Sequence, residues 1–179
     1  MLKVRFAIAF VGVAMLVLAL PALQAQSSTA PLPSQILSAK KVFISNGGGE
    51  FDRGRWSGEP TRIYNQFYSA IKNWGHYELV GSIAEADLVL QISIVNSTRI
   101  SGHVASTVGT QVRLTLLDPK TSITLWAINE YIPEKLTMLG GEPSSKDDRD
   151  KQLDDGISRV VTDLKTLNTP TVNPAVANH

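Results

Sequence analysis

The chain has 179 residues, a length that suits one domain or at most two. It contains 17 Lys and Arg residues against 16 Asp and Glu residues, and it contains no cysteine. The missing cysteine excludes disulfides, thiolate metal sites and a cysteine nucleophile. The near-neutral charge gives no electrostatic case for binding nucleic acid or an anionic membrane surface.

The amino-terminal residues have the layout of a secretory signal peptide. Lys3 and Arg5 form a short positive region, an apolar run covers residues 6–20, and residues 23–25 read Leu-Gln-Ala, a plausible cleavage site. We therefore predict that residues 1–25 are a signal peptide removed on export. The alternative is an uncleaved membrane anchor, because the apolar run is close to the lower limit of about 18 residues for a membrane span.

Cleavage changes the charge of the protein. Without Lys3 and Arg5, 15 basic residues oppose 16 acidic ones, a net charge of −1. The chain also lacks the cysteine that a bacterial lipoprotein carries just after its signal. We expect an exported product, periplasmic or secreted, with no stable membrane insertion after signal cleavage.

The first elements after the signal surround a glycine-rich loop. Residues 26–39 are rich in Ser, Pro and Gln and predict a flexible lead-in. A short apolar run predicts a first strand over 41–45, and residues 46–60 read as a polar loop. Apolar residues at spacings of four, four and three predict a helix over 61–74, with Gly75 just past its end.

The middle of the chain has the period-two pattern of strands. Strands are predicted over 77–80, 87–95, 110–117 and 123–132, while residues 96–109 are predicted as a loop or a frayed hairpin end. A short turn with proline in its second position makes the last two strands an antiparallel hairpin.

A final helix with a clear apolar stripe is predicted over 147–167, and residues 168–179 are predicted as a disordered tail. The order of elements predicts a single α+β domain over 40–167. Its sheet is expected to be mixed, mostly antiparallel and about five-stranded, with two helices packed on one face.

The loop raises the question of a nucleotide site, because Gly49 and Gly54 keep the spacing of a phosphate-binding loop. Such a loop follows its second glycine with Lys and Ser or Thr, whereas this chain has Arg55 and Trp56. The helix should also begin at the second glycine so that its free N–H groups meet the phosphate, but residues 57–60 intervene. We predict that this loop binds no nucleotide and no other cofactor.

A milder interpretation makes the loop a contact surface. Trp and Arg are favoured at the centres of protein interfaces, although Glu and Asp residues in the same loop cancel its positive charge. The alternative is that one of the aromatic rings folds back to cover the sheet edge. The candidate contact surface consists of Phe51, Arg53, Arg55, Trp56 and Arg62.

The acidic run over 147–155 does not fit a calcium loop, because the central glycine and the final glutamate are missing. Carboxylates at a helix start are better explained by the helix dipole. The three histidines show no ligand spacing, and no catalytic motif is present. We therefore predict no metal site and no catalytic residue.

Several phrases, KKVFISNGGGEFDR, NWGHYELV, EADLVLQISI and VRLTLLDPKTSITLWAINEYI, resemble a family of small, secreted, uncharacterised bacterial proteins. More remotely, the order of elements is similar to the amino-terminal domain of TolB and related envelope accessory domains. The shared pattern here is Ala86-Asp87-Leu88, then Asp118, Thr121, Leu125 and Trp126. The resemblance implies an envelope setting and a role through contacts.

The function predicted from the sequence is that of a non-enzymatic exported envelope protein that acts through protein–protein contacts. We expect the partner to be another envelope protein, and the sequence leaves the oligomeric state open. The alternative is binding of a small ligand or glycan through residues 46–62. An enzyme is the third hypothesis.

Overall fold

The computed structural model describes four stretches of the chain, residues 30–49, 51–101, 105–133 and 145–169, and the side chains of these residues except those of 97–108. Every described helix and strand belongs to the compact unit Leu32–His179. The predicted signal peptide falls outside these stretches, as does the tail from residue 170. Among the described helices, none is both long and apolar enough to cross a membrane.

The described residues form three α-helices and five strands. The elements are α1 (Ser34–Ser38), β1 (Lys41–Gly49), α2 (Arg62–Trp74), β2 (Glu78–Leu79), β3 (Leu88–Ser101), β4 (Ala105–Leu117), β5 (Thr124–Ile132) and α3 (Lys146–Leu167). Both long helices match their predictions to within one residue at each end.

The strands form one mixed sheet in the order β2-β1-β3-β4-β5. Strand β1 is parallel to both β2 and β3, whereas β3, β4 and β5 form an antiparallel meander. The parallel pairing needs the long α2 connection, while short turns suffice for the meander. The predicted α+β fold with a five-stranded mixed sheet is confirmed.

The core lies between one face of the sheet and the two long helices. Phe67 and Ile71 of α2 and Ile157 and Leu164 of α3 are all buried in the same cluster. Trp126, on β5 at the end of the sheet, is only partly buried. The buried strand residues of this cluster are all even-numbered: Val42, Ile44, Leu88, Leu90, Ile92, Ile94, Val112, Leu114, Leu116, Ile128 and Ile132. The helices therefore pack on one face, as predicted.

Part of the segment predicted as a flexible lead-in is folded. Residues of α1 form one helical turn, and Ile36 is fully buried in the core. The Gln35 amide donates to the carbonyl oxygen of Asp87 at 2.9 Å. Burial of Ile36 and Ala39 explains why this segment orders despite its polar composition.

Strand β1 runs past the predicted end, into the glycines. Its register with β3 shifts between Asn46 and Gly49, as at a β-bulge. Gly49 has φ +117°, and a Cβ there would lie 1.9 Å from the carbonyl oxygen of Ile94. Gly49 is thus required by the close approach of two strands.

Within the stretch predicted as a loop or a frayed hairpin end over residues 96–109, residues 96–101 and 105–109 are paired strand. Strands β3 and β4 stay in register from Asn96 opposite Thr110 to Ser101 opposite Ala105. Ser and Thr gave this stretch no apolar alternation, but backbone hydrogen bonding continues the hairpin, and threonine favours strands.

Candidate functional site

Trp56 lies inside the protein, although we predicted it on a contact surface. Its side chain is 1% exposed, and its ring lies 5.7 Å from the ring of Phe51. The Arg55 guanidinium lies over the indole at 4.9 Å from the ring centroid. This position corrects the expectation that Trp56 faces a partner, because the large apolar ring gains more from burial in the core. Of the alternative interpretation, a ring that folds back to cover the sheet edge, the structure shows the folding back: Trp56 lies in the core cluster.

Arg62, the last residue of the predicted surface, begins α2 and is held by two carboxylates of α3. Its Nη1 lies 3.1 Å from Oδ1 of Asp150, and its Nη2 donates to Oδ1 of Asp154 at 2.6 Å. Nη1 also donates to the carbonyl oxygen of Ser57 at 3.1 Å. A guanidinium engaged in this way fastens the two helices together, and it has little left to offer a partner.

Asp150 connects the loop to α3. Its Oδ1 accepts the backbone N–H of Ser57 at 2.8 Å. Burial pushes the pKa of Asp150 up, but hydrogen bonds from Ser57 and the charge of Arg62 outweigh that effect and hold the pKa below its usual value. The carboxylate is therefore charged at neutral pH and is part of the structure.

The backbone N–H groups of the glycine-rich loop are used within the protein. Gly54 donates to Oδ1 of Asp52 at 2.8 Å, and Arg55 and Trp56 both donate to the Asp52 carbonyl oxygen at 3.0 Å. The next N–H, that of Ser57, donates to α3. A phosphate loop needs these groups free and directed at the ligand. The geometry supports our prediction that no nucleotide binds here.

Arg53 is the one predicted contact residue that remains fully on the surface. It pairs with Glu59 at 2.7 Å, and both side chains are about two-thirds exposed. Such a pair contributes little to stability. The main chain beneath is fastened to α3, since the carbonyl oxygen of Arg53 accepts from Lys146 at 3.3 Å and that of Arg55 accepts from Arg149 at 2.9 Å.

The first residues of the acidic run lie in the opening turn of α3 and stabilise the helix start. Ser145 is the N-cap, and its hydroxyl accepts the backbone N–H of Asp148 while the Asp148 carboxylate accepts that of Ser145. Asp147 and Asp148 lie in the first turn, where negative charge is favoured. Among the described residues, no three metal-ligating side chains come together.

Asp87 and Asp118, two aspartates quoted in the sequence analysis, organise one end of the sheet. Oδ2 of Asp87 accepts the backbone N–H groups of Lys40 and Lys41, each at 2.9 Å, and these bonds lower its pKa. Asp118 accepts the N–H of Lys120 and the hydroxyl of Thr121 in the turn before β5. Both aspartates therefore shape connections between strands.

An open cleft lies beside the loop and along α2. Its volume is about 560 Å³, and every lining side chain is polar. No described residue forms a hydrogen bond with the side chains of Thr61, Asn65 or Gln66. Sequence reasoning missed this cleft, and its only signal was the polar stripe opposite the apolar stripe of α2. The lining residues are Glu59, Thr61, Arg62, Asn65, Gln66, Ser69 and Asp154.

The second face of the sheet, formed by the odd-numbered strand residues, mixes polar side chains with apolar ones such as Phe43, Val89 and Leu117, and neither long helix packs on it. Arg113 donates through Nε to Oδ1 of Asn129 at 2.7 Å across β4 and β5. Ser93 and Thr115 lie beside this pair on the inner strands and are partly exposed. Tyr131 at the end of β5 is 53% exposed. This open sheet face carries hydrogen-bonding groups on three adjacent strands.

No protein-family model and no curated protein matches the chain. The chain is similar to several solved structures, each at low sequence identity. A Helicobacter pylori protein named as a homologue of the neuraminyllactose-binding hemagglutinin is 11% identical and has a TM-score of 0.46, with 74% of this chain and 84% of that chain covered. The family and TolB resemblances remain predictions.

Two further structures have similar coverage. A Xanthomonas campestris protein with the family label DUF330 is 12% identical, with a TM-score of 0.43 and coverage of 76% of this chain and 85% of that one. A minor lipoprotein of Acinetobacter baumannii is 9% identical, with a TM-score of 0.36 and coverage of 73% and 96%.

Proposed function

We propose that this chain is an exported, non-enzymatic protein of the bacterial envelope that acts through contacts with another envelope protein. The signal-peptide layout of residues 1–25 supports export. The contact role rests on the open sheet face, and it replaces the loop as the proposed surface because Trp56 is buried and Arg62 is paired.

The observation that carries the proposal is the chemistry of the open sheet face. It presents a guanidinium on Arg113, an amide on Asn129 and a phenol on Tyr131. Arg and Tyr are the side chains that most often anchor protein interfaces. Small-ligand sites are concave pockets, and neither described pocket is lined by these three residues, so a sheet face with such groups suits the broad surface of a folded partner better.

Photo-crosslinking tests this surface. A photoreactive amino acid is placed at Thr115, in the middle of the open sheet face, and in a matched variant at Lys151, exposed on α3. We expect a discrete adduct with one envelope protein from position 115 and none from position 151. Equal labelling from both positions, or no adduct from position 115 in intact cells, would reject the proposed surface.

Export has its own test. Amino-terminal sequencing of the protein from the envelope fraction should find Gln26 at or near the start. An intact Met1 on membrane-embedded protein would show that residues 1–25 act as an anchor.

The cleft favours a second candidate function, the binding of a small polar ligand or glycan. Thr61 and Asn65 offer a hydroxyl and an amide group that are exposed and have no described partners. Amides and hydroxyls in a water-accessible cleft suit a neutral, hydroxyl-rich ligand. Calorimetric titration with neutral mono- and disaccharides should give saturable heat that Asn65→Ala removes and Lys72→Ala, on the same helix, leaves intact. Absence of heat from every sugar would reject this candidate.

A further inference from the structure

Strand β5 ends the sheet and has β4 as its single neighbour among the described strands. The outer side of an end strand presents backbone N–H and C=O groups that can pair with another chain. Two observations show which residues face outward. Nη2 of Arg159 donates to the carbonyl oxygen of Tyr131 at 2.9 Å, which places that carbonyl on the outer side.

The second observation is on β4, whose Arg113 carbonyl oxygen lies 3.5 Å from the hydroxyl of Ser93 on β3. Odd-numbered residues of β4 therefore face β3, and even-numbered ones exchange hydrogen bonds with β5. Leu114 is opposite Ile128, so Ile128 directs its N–H and C=O groups towards β4. Its neighbours Ala127 and Asn129 direct theirs the opposite way, out from the edge of the sheet.

The residues of β5 themselves do not provide the usual protection of an edge strand. Edge strands are commonly blocked by lysine, proline or an unpaired inward charge, and β5 reads TLWAINEYI. Its one charged residue, Glu130, forms an ion pair with Arg159 at 2.8 Å. Arg159 also covers the Tyr131 carbonyl, so the open part of the edge is centred on Ile128.

We propose that this edge pairs antiparallel with the same edge of a second copy, around a two-fold axis at Ile128. Ala127 of each copy then lies opposite Asn129 of the other, so the outward N–H and C=O groups of these residues meet as hydrogen-bonded pairs. Trp126 lies opposite Glu130, and no like charges face each other. The edge is thus complementary to itself, as a two-fold interface requires.

The helices fit this arrangement. Helix α3 packs over both β4 and β5, so the two copies of α3 would lie about two strand spacings apart, roughly 10 Å. That separation is close to the distance of about 8–10 Å at which helices pack. The joined sheets would therefore be covered on one side by adjacent helices. This inference does not depend on the proposed partner, since it uses the edge and not the open sheet face.

The first test is the oligomeric state of the protein purified from cells, measured by analytical ultracentrifugation. We expect a dimer for the native chain and for Ala127→Val, which keeps the outward N–H. Ala127→Pro removes that N–H without touching the β4 ladder, and we expect a monomer with a native circular dichroism spectrum. A native chain that is monomeric at every concentration, or an Ala127→Pro variant that stays dimeric, would overturn the proposal.

Cysteine pairing gives a test that does not need the proline variant to fold. The chain has no cysteine of its own. Opposite residues in hydrogen-bonded antiparallel pairs have Cα atoms about 5.5 Å apart, within disulfide range. Mixed Ala127→Cys and Asn129→Cys chains should form a disulfide-linked dimer on mild oxidation, whereas Ala127→Cys mixed with Thr115→Cys should not. Equal cross-linking in both mixtures would contradict the edge pairing.

Discussion

The carboxylate of Asp150 on α3 accepts the backbone N–H of Ser57 at 2.8 Å, joining residues 93 positions apart in the chain. The same carboxylate pairs with Arg62 at the start of α2. One side chain thus connects the glycine-rich loop to both long helices, and the stability of this junction should depend on its charge.

Substitution of Asp150 tests that dependence. Asp150→Asn should lower the free energy of unfolding by about 1.5–3 kcal/mol near neutral pH, the range for hydrogen bonds to a charged group. Because the folded pKa of Asp150 lies below its unfolded value, its contribution is complete above about pH 4 and is lost as the pH falls through the folded pKa. Urea unfolding of both proteins at a series of pH values measures this effect.

The difference in the free energy of unfolding between the native chain and Asp150→Asn should therefore become smaller as the pH is lowered. Asp155→Asn, at an exposed position of the same helix, should follow the native chain at every pH. A gap that stays constant down to the acid transition would show that Asp150 is not held by charge.

Trp56 and Arg53 separate the structural and surface roles of the loop. Trp56→Ala should cost about 3–5 kcal/mol, because a buried indole is replaced by a cavity. Arg53→Ala should change the free energy of unfolding by no more than about 0.5 kcal/mol, because its ion pair is exposed. Chemical denaturation measures the free energy of unfolding of both variants. If Trp56→Ala lowered it as little as Arg53→Ala, Trp56 would not be part of the core.

The glycines of the loop allow a matched comparison. Gly48 and Gly49 both have positive φ, but a Cβ at Gly48 meets no atom within 4 Å, whereas one at Gly49 would meet the Ile94 carbonyl oxygen. Gly48→Ala should cost about 1–2 kcal/mol for the backbone conformation, and Gly49→Ala clearly more. Equal melting temperatures for the two variants would show that the contact with the Ile94 carbonyl oxygen does not require glycine at position 49.

Nucleotide binding is tested by calorimetry. Titration with ATP and GTP in magnesium buffer should give no heat beyond dilution, because the N–H groups from Gly54 to Ser57 are already bonded. Saturable binding that Arg55→Ala abolishes would contradict this prediction and restore the phosphate-loop interpretation.

Periodicity was enough to predict the two long helices and the antiparallel hairpin of β4 and β5, but not the full length of the β3–β4 pairing. The apolar spacings of α2 and the alternation of β4 are local patterns, and burial follows them directly. Trp56 and Ile36 were misplaced because their partners are distant in sequence. No local pattern distinguishes a loop tryptophan that faces solvent from one covered by a helix 90 residues further along. The cleft and the outer edge of β5 could not be predicted either, because both depend on the tertiary arrangement of the helices and strands.

The parallel pairing of β1 with β3 has a consequence for the folding pathway. The meander of β3, β4 and β5 joins neighbours through short turns, whereas β1 can pair only after the chain has closed over α2. Loop-closure entropy makes such distant contacts late and slow. We therefore expect amides of β4 to gain protection from hydrogen exchange before those of β1 during refolding. The glycine-rich loop, anchored by contacts to the last helix, would then be among the final parts of the chain to settle.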